Sequence, residues 1–583
     1  MIRLLKYLKA YKKESILGPL FKLLEATFEL IVPLVMASII DNGIVKEDTG
    51  HIWLMGGVLV LLGVIGLICS ITAQYYAAKA SVGFGTALRR DLFAKINDLS
   101  YAEIDRAGTA SLITRMTSDV NQIQSGVNLV LRLFLRSPFI VLGAMIMAFT
   151  INVKAALIFV VAIPLLAVVV FGIMAVSIPL YKKVQKKLDD VLLITRENLT
   201  GMRVIRSVCR QDYEEKRFEE SNSVLLHVQT IVGRISAFLN PVTYIIVNFA
   251  LIAIVVVGAY KVDAGIITQG EVVALINYMN QILVELIKLA NLIVSMTKAL
   301  ACATRVSEVF DYDKPDIVEK EEAEIFGKNI REDVPLVEFS HVSFAYPDAG
   351  ENALEDINFQ VYPGQTIGII GGTGSGKSSL VNLISRFYDV TEGTVKLQGK
   401  DIKDFTFDSI RRKIGVVPQK AVLFKGTLRD NLSWAKENAS EQEMMEALEI
   451  AQAKEIVEGK KDGLDMKIEE RGSNLSGGQK QRFTIARALV GSPKILVLDD
   501  SASALDYATD LRLRRALKKD KKRTTFIVSQ RAATIKDADQ IVVLDDGMMA
   551  GIGTHEELLK SCKIYEEICL SQLSREEVYK DGQ

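Results

Sequence analysis

Six apolar runs crowd into the first 300 of 583 residues, near 16–40, 53–78, 133–152, 156–180, 241–261 and 271–300. A helix needs about 20 apolar residues to cross a bilayer, and each run is of that order. The chain is also too long for one ordinary domain. Two parts are therefore expected: a six-span helical membrane domain over 1–310 and a second domain over 335–583. Between them, 311–334 is rich in Asp, Glu and Lys and lacks apolar periodicity, which suits a solvated linker.

Orientation follows from the basic residues beside the first run. Arg3, Lys6, Lys9, Lys12 and Lys13 precede it, whereas the loop from Asp41 to His51 holds only Lys46, so the N-terminus is expected to be cytoplasmic. The first residues read as a basic amphipathic stretch at the interface, and no cleavable signal peptide is expected. Lys plus Arg and Asp plus Glu each number 70, so net charge gives no hint of nucleic-acid binding. Cys69, Cys209, Cys302, Cys562 and Cys569 have no metal-site spacing and are expected to be reduced and structural.

The connections after the second and fourth runs are long, helical in pattern and mixed in charge, and should project into the cytoplasm. Gly108 and Gly201 are placed to break them into short transverse pieces. Two polar stripes interrupt the apolar runs. Glu25 and Glu29 share one helix face, as do Asn277, Gln281, Glu285 and Lys288, and charges within a span usually face a cavity or a partner. Substrate contact is one reading; hydrated packing or a Glu285–Lys288 pair is the other.

The second domain alternates short apolar runs, such as Thr366–Ile370 and Ile495–Leu498, with helical stretches, which predicts an α/β fold with buried parallel strands. The first of these runs feeds Gly371-Gly-Thr373-Gly374-Ser375-Gly376-Lys377-Ser378, followed by Ser379 and a helical pattern. Glycines let backbone N–H groups converge on phosphate oxygens, Lys377 reaches the terminal phosphates, and Ser378 offers a hydroxyl to Mg²⁺. Downstream stands Leu475-Ser476-Gly477-Gly478-Gln479, and the run to Leu498 delivers Asp499 to a strand end, where a carboxylate can hold Mg²⁺. Gln419 is a further candidate metal ligand, with a turn cap as its alternative role.

With these motifs the chain resembles ATP-binding cassette (ABC) exporters of the half-transporter kind, with the type IV exporter architecture. The resemblance implies ATP and Mg²⁺ as cofactors, a lipid bilayer as surroundings, and a small-molecule, lipid or peptide substrate. It further implies that Tyr346 stacks on adenine, unless it is an ordinary strand residue. Ser476, Gly477, Gly478 and Gln479, preceded by Glu470-Arg471-Gly472, and Asp506 of Ser503-Ala-Leu-Asp506, would meet the ATP of a second subunit. The two cytoplasmic tips resemble coupling helices.

The chain departs from that pattern twice. Asp500 stands where the family usually has a catalytic glutamate, and Gln530 where it usually has a switch histidine. A carboxylate shorter by one methylene is withdrawn from the attacking water by on the order of 1 Å, a displacement that can cost about 10²-fold. Glutamine cannot carry the proton or positive charge of a histidine. The expectation is a hydrolytically weak site in a heterodimer whose other subunit supplies glutamate and histidine. The alternatives are normal hydrolysis despite the conservative swap at Asp500, a homodimeric transporter, and an ATP-gated channel or regulatory membrane protein.

Overall fold

The computed structural model describes residues 2–312, 333–347, 349–520 and 523–580, so nearly all of the expected linker, 313–332, lies outside the described residues. The chain divides into two units, Met1–Asn97 with Ala110–Tyr312, and Asp98–Thr109 with Asp313–Gln583.

Among the described residues, six helical stretches are long and apolar enough to cross a membrane. They are built from α1 (Lys12–Ser38), α2 (Thr49–Asn97), α4 (Val120–Leu133) continued by α5 (Arg136–Ile151), α6 (Val153–Ser207), α7 (Gln211–Ala237) continued by α8 (Leu239–Asp263), and α9 (Gln269–Asp311). Short polar signals start them: Asn152 accepts from the amides of Lys154 and Ala155 at the head of α6, and Thr268 forms a capping box with Glu271 at the head of α9. The α4–α5 break falls at Phe134–Leu135 because Pro138 has no N–H to give to the carbonyl four residues back. Large side chains such as Trp53, Val168 and Phe249 point outward, while Phe159 and Tyr278 fill the bundle.

The two glycines expected to break the helices of the long connections behave differently. Gly108, at φ 72°, ends α3 (Tyr101–Ala107). Gly201 does not interrupt the 55-residue α6. An isolated glycine costs a helix about 1 kcal/mol, which a helix that long absorbs. The chain turns instead at Val208–Arg210, with Cys209 at φ 53°. Cys209 is exposed, so it has no core role, whereas the other four cysteines are free and buried.

In the second unit, β1 (Val337–Phe344), β2 (Leu354–Val361) and β4 (Glu392–Leu397) form an antiparallel sheet in the order β2-β1-β4, extended by Lys400–Asp401. The main sheet has the order β9-β8-β3-β7-β6-β5, from β3 (Thr366–Gly371), β5 (Ile414–Val417), β6 (Ile495–Asp499), β7 (Thr524–Val528), β8 (Gln540–Asp545) and β9 (Met548–Gly553). All of its pairs are parallel except β8–β9. Ile495 to Leu498 are all buried, as befits strands covered on both faces. The helices that matter for the site are α10 (Lys377–Ile384), α11 (Gly477–Val490), α12 (Tyr507–Lys518) and α13 (Lys563–Gln572).

Candidate active site

Because β3, β7, β6 and β5 are adjacent and parallel, their carboxyl ends open on one crevice, the usual ligand position in such sheets. Register sets the depth: Val528 pairs with both Ile369 and Asp499, and Val417 with Leu498. The phosphate loop, Asp499–Asp500, Ser529–Gln530 and Gln419 therefore leave the sheet at nearly one level. With Tyr346, Ala353 and Val528 they line a cleft of about 310 Å³.

The loop has the backbone its glycines predict. Gly374 and Gly376 sit at φ 88° and 90°, a region open to glycine, and Gly376 caps α10. Gly371 serves packing instead of lining the cleft, since a Cβ there would lie 2.1 Å from the Leu544 carbonyl oxygen of β8. The buried Lys377 ammonium donates to the carbonyls of Gly371, at 2.9 Å, and Gly372, and to Ser375 Oγ at 3.3 Å. Burial lowers its pKa, against the pull of Asp500 and Asp499.

Ser378 Oγ donates to Asp499 Oδ1 at 3.1 Å. Burial raises the Asp499 pKa, the Ser378 bond opposes this, Asp500 adds to it, and Lys377 opposes it. A hydroxyl and a carboxylate oxygen in contact, with the Gln419 amide in the same cleft, form the hard-oxygen donor set that suits Mg²⁺.

Asp500 holds a left-handed φ of 45°. Its amide donates to the Val528 carbonyl at 3.0 Å, and its own carbonyl accepts from Ser503 Oγ at 2.8 Å. Burial raises its pKa too, countered by a hydrogen bond from Gln419 and then by Lys377 and Arg531. The Tyr346 ring packs edge-on against Phe344 and Tyr388, with centroids 4.8 and 5.2 Å away, and its hydroxyl shares a 2.9 Å hydrogen bond with Ser379 Oγ.

The remaining motif residues do not line this cleft. Ser476 caps α11, its Oγ accepting from the Gln479 amide at 3.3 Å while Gln479 Oε1 accepts from the Ser476 amide at 3.0 Å. Gly477 and Gly478 form the first turn, so amides cluster at a helix end suited to an anion. Asp506 caps α12 by accepting from the Thr509 amide at 3.0 Å.

Sequence reasoning missed Ala353, Val528 and Ser529 in the cleft wall. It also missed Gln572, at the end of α13, whose Nε2 donates to the Gln530 carbonyl at 2.7 Å while its Oε1 accepts from the Ala532 amide at 2.9 Å. No motif marks Gln572. The Gln530 side chain faces the cleft from a loop that this distant residue holds on both sides.

In the membrane unit the two polar stripes converge. Glu29, Asn277, Asn280, Gln281, Glu285 and Lys288 line a second cleft, of about 430 Å³, between α1 and α9. Arg136, from α5, ties them: it donates to Glu285 at 2.7 Å and to Glu29 at 2.6 Å, while Lys288 donates to Glu285 at 2.8 Å. Glu25 lies outside this cluster and pairs with Lys22. The internal Glu285–Lys288 pair is thus present, in a larger cluster that neither stripe reveals.

Residues 15–286 match the family model described as the ABC transporter transmembrane region, and residues 354–503 the one described as ABC transporter. The chain is 38% identical to YfiB of Bacillus subtilis, an uncharacterised ABC transporter ATP-binding protein, over 99% of each. The chain belongs to the ABC transporter family. This transporter is also 35% identical to an ATP-dependent lipid A-core flippase of Desulfotalea psychrophila, over 81% of this chain and 82% of the relative. It is 32% identical to a putative multidrug export ATP-binding/permease protein of Bacillus subtilis, YgaD, over 96% and 97%. Its fold matches that of a bacterial Atm1-family ABC exporter with ATP bound, at TM-score 0.80 and 24% identity, over 97% of this chain and 99% of the other. The transporter thus joins a six-helix membrane part to a P-loop ATPase part in the type IV exporter architecture, with ATP and Mg²⁺ as its cofactors.

Proposed function

We propose that this chain is half of an ATP-driven exporter of hydrophobic or amphipathic molecules, with residues 1–310 as conduit, 311–334 as linker and 335–583 as motor. The observation that carries it is the gathering of Lys377, Ser378, Asp499 and Asp500 at adjacent strand ends in one cleft. The names of the flippase and multidrug relatives support an amphipathic cargo. The basic N-terminal stretch supports a cytoplasmic N-terminus and motor.

Tyr346 stacks on adenine; Thr373 to Ser379 cradle the phosphates; Asp500 orients the attacking water; Gln530 hydrogen-bonds the terminal phosphate. Ser378, Gln419 and Asp499 would hold Mg²⁺, which when bound neutralises charge on the phosphates. Ser476 to Gln479 and Asp506 complete the nucleotide site of a neighbouring subunit, which is consistent with their lying away from this cleft.

Hydrolysis at the chain's own site is weak in this proposal, because Asp500 is short and Gln530 is neutral. A different partner subunit, the arrangement those residues suggest, rests on them alone. A pair of identical chains is at least as well supported, since each chain carries both halves of a composite site and resembles an ATP-bound exporter over nearly its whole length. Purified alone and reconstituted, the chain distinguishes the two: robust ATPase without another subunit establishes the homodimer, and its absence favours the mixed pair. ATP-dependent accumulation of a fluorescent amphiphile in inside-out vesicles tests transport itself, because a gated channel cannot build a gradient.

A further inference from the structure

Four ionisable side chains meet among apolar helices in the membrane unit, and the way their bonds are shared leaves the two half-exposed ones, Glu29 and Lys288, with unused capacity at the cleft. Glu285, 2% exposed, accepts three bonds: Arg136 and Lys288 donate to its Oε1, and Ser137 donates to its Oε2 at 2.8 Å. Arg136, 6% exposed, spends its two terminal nitrogens on Glu285 and Glu29, and its buried Nε has no partner among the described residues. Glu29 accepts only that one side-chain bond, through Oε2, and its other carboxylate oxygen has no partner among the described residues. Lys288 donates one of its three N–H bonds. The side chains of Asn277 and Asn280 make no hydrogen bond among the described residues, and both line the cleft.

The cleft also has an apolar wall of Val32, Pro33, Met36 and Val284, and its volume of about 430 Å³ lies within the range of small-molecule sites. Glu29 and Glu285 balance Arg136 and Lys288, so the cluster is neutral. A ligand carrying one net charge would match only one of the two half-exposed groups and upset the balance of the cluster, whereas a dipolar ligand matches both. A spare carboxylate oxygen on Glu29, two spare N–H bonds on Lys288, the Asn277 and Asn280 amides and an apolar wall describe the complement of a dipolar head on an apolar body.

Building on the exporter function proposed above, we propose that the α1–α9 cleft binds amphipathic zwitterions, the ligand's N–H cation on Glu29 and its anion on Lys288. Such a head occurs both on an aminophospholipid and on an apolar peptide with free ends.

The test uses the full chain in nanodiscs of a phosphocholine lipid, without nucleotide, so that binding is read independently of turnover. The probes are dihexanoyl phosphoethanolamine for the lipid source and trileucine for the peptide source, followed by calorimetry. Singly charged dihexanoyl phosphatidylglycerol, a phosphodiester, and hexylamine are the controls. The expected result is that at least one zwitterion binds at least tenfold more tightly than either control, and that Glu29→Gln and Lys288→Gln each weaken it about tenfold while thermal unfolding stays within a few degrees of the parent. Which probe binds identifies the source. Controls that bind as well as the zwitterions, zwitterions that do not bind, or zwitterion binding that ignores both substitutions would overturn the proposal. ATP-driven uptake of a singly charged dye alongside any of those results would leave the exporter function standing, whereas a lack of ATP-driven uptake of every probe would remove that function itself.

Discussion

The Tyr388 phenol donates a hydrogen bond to Asp105 on the short helix α3. Its ring also packs on Tyr346 in the nucleotide cleft, and Tyr101 of the same helix lies 4.6 Å from Phe387. The tip of the first long connection is thereby joined, through the Tyr388 ring, to the side chain proposed to stack on adenine.

That contact has a pH signature. Burial first, then the bond to Asp105, raise the Tyr388 pKa well above its ordinary value of 10.0. A folded-state pKa above the unfolded one means that the contribution to stability is complete below the ordinary value and is lost only as pH rises through the higher folded value. An ultraviolet phenolate titration of the wild type minus that of Tyr388→Phe should show no step near pH 10.0. A full step there would mean that the phenol is solvated and the bond to Asp105 is absent.

The two departures at the strand ends should act together. Lengthening Asp500 to Glu restores reach of on the order of 1 Å, and replacing Gln530 by His restores a group that can carry charge. The double substitution Asp500→Glu/Gln530→His is expected to raise the ATPase rate of the purified full chain by about 10²-fold. An unchanged rate would show that neither departure limits hydrolysis.

Gln572 fixes the backbone on both sides of Arg531 with one donated and one accepted bond. Gln572→Met keeps the length and removes both, so hydrogen exchange at the Ala532 amide should accelerate, and kcat for ATP should fall about tenfold with little change in KM. Gln572→Glu keeps the acceptor but can donate only when protonated, so its rate should recover as pH falls. A Gln572→Glu profile parallel to wild type would reduce Gln572 to ordinary packing.

How much of this is legible from residues alone depends on chain distance. The phosphate loop carries its own strand, turn and helix within a dozen positions, and each membrane helix announces itself by length and composition. Gly201 misleads because a breaker acts only where neighbouring contacts are too few to hold the helix. Arg136 and Gln572 are invisible for another reason. Their partners lie 149 and 107 residues away for Arg136, and 42 and 40 for Gln572, and nothing local in either segment encodes where the helices will meet.

Arg136 provides the sharpest test of the membrane unit. Removing it leaves Glu285, which is 2% exposed, with Ser137 and the half-exposed Lys288 as its remaining donors. Breaking a buried ion pair from one side typically costs about 3–5 kcal/mol, whereas replacing both partners by apolar residues of similar volume is often neutral. Arg136→Met should therefore lower the thermal unfolding temperature of the full chain in nanodiscs, and Arg136→Met/Glu285→Met should recover most of that loss. Equal destabilisation by the single and double variants would show that Glu285 left without Arg136 costs the fold nothing, against the buried-pair account.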